Sequence, residues 1–513
     1  MSLVDAAEPR IIRLHAADQV VVAVDPIADG GPVGDTGVRA RGRIMRGHKV
    51  AVRPIAKGEP ILKYGQVIAV ASRDIAPGEH VHEHNAQMSD LAHDYAFATE
   101  AKPQAPVPEA ERATFQGYRR PGGRVGTRNY VAVISTVNCS ATVSRYVAER
   151  FNRQGGLDGF DNVDGVVALT HGGGCAMNTK GEGFKLLQRT IWGYANNPNF
   201  GGVVLIGLGC ETNQIAYLKD RYGIVESPNF RTLTIQETGG TQATIARACD
   251  FISEMLPEVN AHRRETVPAS ELVVALQCGG SDGYSGISAN PALGHASDLL
   301  VAQGATTILS ETPEIYGAEH LLTRRAVSEE VGRKLIERIE WWRQYAEKND
   351  AEMNNNPSPG NKLGGLTTIL EKSLGAAVKG GTANLSAVYE FAEQVTAKGL
   401  VFVDTPGYDA VCSTGQIASG ATVMCFTTGR GSVSGFKPVP TLKLATNTPM
   451  YEKMRDDMDV NCGTIVTGEE TVEEVGRRIF DKILATASGS RTFSEQYGYG
   501  DNEFVPWQIG AIM

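Results

Sequence analysis

The sequence predicts an α/β protein: a small all-β module at the N-terminus, followed by two α/β regions with largely parallel sheets. Residues 12–98 consist of short segments rich in β-branched residues, cut by Gly, Pro and Asp. Beyond residue 116, continuous apolar runs alternate with stretches of helical period. Between the two lies EAKPQAPVPEAERA (100–113), with three prolines and no large apolar cluster, which reads as an extended linker. The expected division is a β-module over 1–99, a linker over 100–115, an α/β domain over 116–265 and an α/β catalytic domain over 266–513.

Taken in order, VVVAV (20–24), KVAVRPI (49–55) and QVIAVASRDI (66–75) are predicted strands of the β-module. A short repeat lies among them: IAKGEPI (55–61) returns as IAPGEHV (75–81), each a strand end, a glycine turn and a new strand. In the α/β part the apolar runs are VAVIS (131–135), GVVALT (165–170), GVVLIG (202–207), LVVALQ (272–277), TTILS (306–310) and LVFVD (400–404). Runs without alternation suit strands buried on both faces of a parallel sheet. ATVSRYVAERF (141–151) and NQIAYLKDRY (213–222) carry helical spacing between them. A long polar helix interrupts the pattern near 328–360 as an insertion, with Trp341 and Trp342 expected to anchor it to a neighbouring domain or subunit.

A formal net charge of -9, with acids and bases interspersed, argues against nucleic acid or an anionic membrane as partner, since both call for a basic face. No apolar run is long enough to span a bilayer and no signal-type core opens the chain, so a cytoplasmic location is expected. Eight cysteines in 513 residues, none in a CxxC pair, give neither a disulfide framework nor a zinc ribbon.

Ligands of open parallel sheets bind outside the carboxyl ends of the strands, so the residue following each run matters. There the chain places Thr136–Ser140 with Asn138 and Cys139, His171–Cys175, Leu208–Asn213 with Cys210 and Glu211, Cys278–Asp282 with Ser281, Glu311–Glu314, and Thr405–Asp409. A single cysteine is ordinarily a small buried hydrophobe; the shared position of several at successive strand ends points to a site. In HVHEHN (80–85), alternation along a strand would put His80, His82 and His84 on one face, able to hold a divalent transition metal. Arg124 and Arg128 before the first buried strand, and Arg430 and Lys437 later, are candidate carboxylate holders.

At these residues the chain resembles the altronate/galactarate dehydratase family. GRVGTRNYV (123–131), NCSAT (138–142), THGGGCAM (170–177), GLGCETNQ (207–214), QCGGSDGYSG (277–286), DTPGYD (404–409) and FVPWQIGAIM (504–513) carry the likeness. The β-module resembles that family's SAF domain, with HVHEHN as its ending. The resemblance implies dehydration of a hexonate or hexarate to a 2-keto-3-deoxy acid, supported by a divalent metal such as iron(II) or manganese(II). Related proteins act on sulfolactate, so a carbon–sulfur lyase is the alternative within enzymes.

Removing a proton alpha to a carboxylate builds an enediolate, which a metal and cationic side chains stabilise while an acid helps hydroxide leave. The expected arrangement sets the metal between His82, His84 and the strand-end loops, with Glu211 as a further ligand or catalytic carboxylate. His171 is the expected base, Asp282 or Asp409 completes the acid/base set, and Arg128 and Arg430 hold the carboxylate. Arg124, Asn138, Cys139, Ser281 and Lys437 complete the expected substrate-binding set. An iron–sulfur cluster on Cys139, Cys175, Cys210 and Cys278 is the alternative Lewis acid. A sugar-acid sensor without catalysis is the reading from another class, disfavoured by so many acid/base groups. The expected partner is a small anionic sugar acid, and a homo-oligomer is expected.

Overall fold

Each of the six apolar runs forms a parallel strand, and together they nucleate two separate sheets. The structure, a computed structural model, describes residues 8–89, 95–102 and 106–510. The first sheet has four parallel strands in the order Gly165–Leu169, Tyr130–Ser135, Phe200–Gly207, Phe230–Thr234. The second has seven, in the order Leu385–Tyr389, Gly399–Val403, Thr306–Leu309, Val273–Cys278, Val423–Thr428, Thr441–Ala445, Val460–Asn461. All its pairings are parallel. Five of these strands were not singled out in the sequence. Phe230–Thr234 is an edge strand of half-buried, mostly polar residues, and Thr441–Ala445 buries Lys443 in mid-strand; neither reads as an apolar run.

Residues before 90 form two small antiparallel sheets. The repeat closes on itself there. Ile55 and Ile75 pair across an antiparallel bridge, and Gly58 and Gly78 take the positive φ that the two equivalent turns require. Ile55, Ile61, Ile75 and Val81, the apolar positions of the two copies, are all buried.

The described part of the expected linker, with the residues just before it, runs along the C-terminal domain: Ala98 and Glu100 donate their amides to the carbonyls of Thr323 and Arg324, and Val107 to that of Ala302. Its end becomes the Thr114–Arg119 strand, which pairs antiparallel with Glu265–Pro268 and Val125–Gly126. The insertion is a 20-residue helix, Glu329–Lys348, capped by Ser328 and burying Leu335, Ile339 and Trp342. Trp342 anchors it within the chain: its ring stacks on Trp507 and its indole N–H donates to Asp404 at 2.7 Å. No described helix is long and apolar enough to cross a membrane.

One buried ion triad docks the β-module on the C-terminal domain. Lys49 and Lys63 both reach Glu371, at 2.8 and 2.9 Å, with every side chain at or below 1% exposure. Burial alone would push Glu371 up, but the two ammonium groups win and hold its carboxyl at about 2.

Candidate active site at the ends of the seven-stranded sheet

The seven-stranded sheet starts at Val273–Cys278 and builds outward in both directions, so its order reverses between that strand and Val423–Thr428. A crevice opens at such a switch point. The loops there are Gly279–Ser285 and Gly429–Gly431, and the glycines are required. A Cβ on Gly279 would overlap the Asp409 carboxylate and the Phe426 ring, and one on Gly280 would sit 3.2 Å from the Cβ of Arg430. Asp409 and Arg430 therefore flank the glycine pair. Arg430 is exposed, and its guanidinium makes no hydrogen bond among the described residues.

Beneath this floor lies a buried ionic cluster. Lys379 Nζ stands 2.8 Å from both Glu311 Oε2 and Cys278 Sγ, and Lys372 Nζ is 2.7 Å from Glu314 Oε1. Gln277 donates to Glu311, and Asn356 to Glu314. Glu311 holds a left-handed backbone, φ 68°, which is strained for a residue with a Cβ and fixed here by its amide bond to Thr405 Oγ1. Burial and the neighbouring Glu314 raise the Glu311 carboxyl, whereas Lys372 and Lys379 overcome the burial of Glu314 and hold it low. Asp409 is lifted to about 7, first by burial and then by the charges of Glu311 and Glu314. A carboxyl so placed can carry a proton either way at neutral pH.

The β-module supplies the other wall. Its His80–Val81 strand is followed by a turn in which His82 O accepts from the amides of Asn85 and Ala86, where the last strand, Ala86–Gln87, begins. The histidines are thus gathered by a turn rather than by the expected strand alternation. His48 joins them: its Nδ1 lies 3.0 Å from His80 Nε2, and the rings of His82 and His84 are tilted against that of His80 with centroids 5.2 and 5.5 Å away. Burial lowers His80 to about 3 and His82 to about 4, so both stay neutral, and His82 Nδ1 is buried without a partner. Residues 356–365 connect the two walls. Asn356 bonds Glu314 and Lys372, Asn361 bonds the Ser281 carbonyl, the Leu363 carbonyl meets His48, and that of Gly365 accepts from Lys49.

Most other expected site residues are engaged by partners within the protein. Arg128 is buried and bidentate to Glu495, at 2.5 and 2.9 Å, with its remaining donors on backbone carbonyls, so it has nothing left for a substrate. Glu211 accepts from Thr136 Oγ1 and from the amides of Leu208 and Gly209 within its own domain, which pins a loop and takes it out of the histidine site. His171 is buried at about 4, lowered by desolvation; Nε2 meets the Ser135 carbonyl and Nδ1 accepts from Gly173, so neither nitrogen faces an open site. Asp282 accepts from Ser285, Tyr284, Thr446 and Asn447 and holds the crevice loops in register. Lys437 pairs with Asp501, and Arg124 bonds Asn196, both away from the glycine pair. Ser281 stays on the crevice loop, while Asn138 and Cys139 are exposed at the end of the other sheet. Sequence reasoning missed Lys372, Lys379 and His48, and quoted Glu311 and Glu314 without choosing them.

Three stretches of the chain match described families. Residues 9–89 match the altronate/galactarate dehydratase SAF domain, 117–260 the D-galactarate dehydratase/altronate hydrolase second domain, and 269–512 the D-galactarate/altronate dehydratase C-terminal domain. The chain is 42% identical over 498 residues to galactarate dehydratase (L-threo-forming) of Escherichia coli K12, covering 95% of this chain and 94% of that protein. It is 37% identical over 484 residues to altronate dehydratase of Bacillus subtilis 168, covering 93% and 95%. With (2R)-sulfolactate sulfo-lyase subunit beta of Chromohalobacter salexigens it shares 32% identity over 400 residues, 77% of this chain and 98% of that one.

Proposed function

The chain belongs to the D-galactarate/altronate dehydratase family, and from that premise we propose that it removes water from a hexarate or hexonate such as galactarate or altronate, yielding a 2-keto-3-deoxy acid. The observation that carries this reading is Asp409, a carboxyl held near neutrality against Gly279, with Arg430, whose guanidinium has no hydrogen-bond partner among the described residues, at the adjoining Gly280. Arg430 holds the substrate carboxylate. Asp409 takes the C2 proton and, now the carboxylic acid, gives a proton to the C3 hydroxyl, which leaves as water; the enol product then tautomerises to the ketone. The buried Lys372 and Lys379 balance Glu314 and Glu311, so that Asp409 can ionise beside them.

A divalent metal, iron(II) or manganese(II), belongs to this reading, and it would polarise the substrate's carboxylate and hydroxyl oxygens. The neutral imidazoles of the β-module suit it: His82 and His84, with His80, would hold it, and His82 has a buried nitrogen to spare. Cys278, Glu311 and Glu314 also bring ligand atoms within 4.8 Å of one another. Two ammonium groups already lie against that trio, so a second cation there is opposed by charge.

The test is turnover of galactarate, altronate and sulfolactate with added iron(II) or manganese(II), following 2-keto acid and sulfite. Formation of 2-keto acid from a hexarate or hexonate is expected. Sulfite from sulfolactate with no 2-keto acid from either sugar acid would replace this reading by the sulfo-lyase one.

A further inference from the structure

Cysteine is among the residue types most often buried, and of the eight here Cys278, Cys412, Cys425 and Cys462 conform, with Cys249 half-buried. The three exposed ones, Cys139, Cys175 and Cys210, are not scattered. They follow Tyr130–Ser135, Gly165–Leu169 and Phe200–Gly207, three adjacent parallel strands with the first in the middle. The order of that sheet reverses at the middle strand, so its own switch-point crevice lies where these loops emerge.

The three loops are locked to one another. Asn138 donates its amide to Gly173 O, and Asn213 donates its amide to Gly174 O and its side chain to Thr136 O, each at 3.0 Å. Gly174 has φ +99°, and a Cβ there would run into the Thr136 carbonyl. Glu211 ties Thr136 to the Leu208–Gly209 turn. Cys139, Cys175 and Cys210 are therefore chain neighbours of residues clamped across loops: Asn138, Gly174, and Gly209 with Glu211. Asn213, fully buried among these contacts, keeps a side-chain oxygen with no partner.

We propose that Cys139, Cys175 and Cys210 bind a four-iron, four-sulfur cluster through three of its irons. Thiolates in the absence of imidazole select such clusters, zinc or copper(I). A single ion would draw three thiolates together, yet among the described residues the only His, Cys, Asp or Glu trio whose ligand atoms all lie within 4.8 Å is Cys278, Glu311 and Glu314. A cluster takes thiolates that stand further apart than a single ion allows. Cys278, the fourth thiol that the sequence offered, is sealed in the other domain against Lys379 and Glu311. The fourth iron is left to a ligand from outside the three loops.

The full-length chain, reconstituted anaerobically with ferrous iron and sulfide, should carry about four irons and four labile sulfides and turn brown. C139S, C175S and C210S should each fall to below about one sulfide per chain, with C249S unchanged. A second measurement needs no variant. Iodoacetamide should label Cys139, Cys175 and Cys210 in the cluster-free protein, and all three should become protected together on reconstitution. Sulfide retained by the triple serine variant, iron taken up without sulfide, or labelling of the three cysteines unaltered by reconstitution would each overturn the proposal.

Discussion

The two parallel sheets end in crevices of opposite character. At the seven-stranded sheet, charged groups are buried in contact with one another: Glu311 with Lys379, Glu314 with Lys372, and Asp409 above them. At the four-stranded sheet the loops are pinned by backbone bonds, by Glu211 and by His171, and three thiols stand exposed, that of Cys210 accepting from Gln236. In the first, low dielectric and like charge shift a carboxyl into the range where it exchanges protons. In the second, titratable groups are consumed as structural acceptors and the free chemistry is soft-ligand chemistry. A histidine or carboxylate at a strand end is thus no guide to function until its hydrogen bonds are counted.

The largest way to break this picture is to undo the docking that brings the histidines to the first crevice. Glu371→Ala leaves Lys49 and Lys63 buried without a counter-ion, which costs about 3–5 kcal/mol. Urea unfolding should show the loss, or a separate early transition of the β-module; an unchanged midpoint would mean the triad does not secure it. Next in size, Glu211→Gln leaves one loop acceptor exchanged for a donor among three N–H or O–H donors, and about 1–3 kcal/mol of stability should go. Turnover measured at a temperature where the variant is folded should stay within about tenfold of the parent, because Glu211 serves its loop.

The smallest effect sharpens the electrostatic claim. Asp409 binds its proton more tightly in the folded chain, at about 7 against an ordinary 3.8. Since the native state then holds more protons than the unfolded one between those values, stability should fall as pH rises from about 4 to 7 and level off above. A base role for Asp409 predicts an ascending limb of kcat/KM over the upper part of that window. Glu314→Gln removes a like charge and leaves Lys372 unopposed, so the limb should move to lower pH; a shift upward, or none, would mean the limb belongs to another group.

Much of the fold could be read from the chain because strands buried on both faces need unbroken apolar runs, and six such runs are present. Of the crevice, the sequence offered Asp409, which closes the loop after the LVFVD run, and Arg430, taken from its glycine-flanked loop. Lys372 and Lys379 sit in and just after the Ile369–Ala377 helix, where a lysine looks like an ordinary solvated one until packing buries it. His48 meets His80 across 32 residues, through a strand pairing that no local pattern announces. Arg128 and His171 were expected at open loops and are buried instead, for the converse reason. Glycine-rich neighbours suggested open loops, and the partners that consume them, Glu495 and the Ser135 carbonyl, are distant in sequence.

The central claim is that proton transfer resides at the seven-stranded sheet, on Asp409. It is tested most directly by kcat for Asp409→Asn and His171→Gln, measured side by side on a hexarate or hexonate, with substrate binding followed by calorimetry. The Asp409 variant should keep binding and lose about 10²–10⁴ in kcat, while the folded His171 variant stays within about tenfold of the parent. An Asp409 variant turning over at the parent rate, with the His171 variant inactive, would contradict the account.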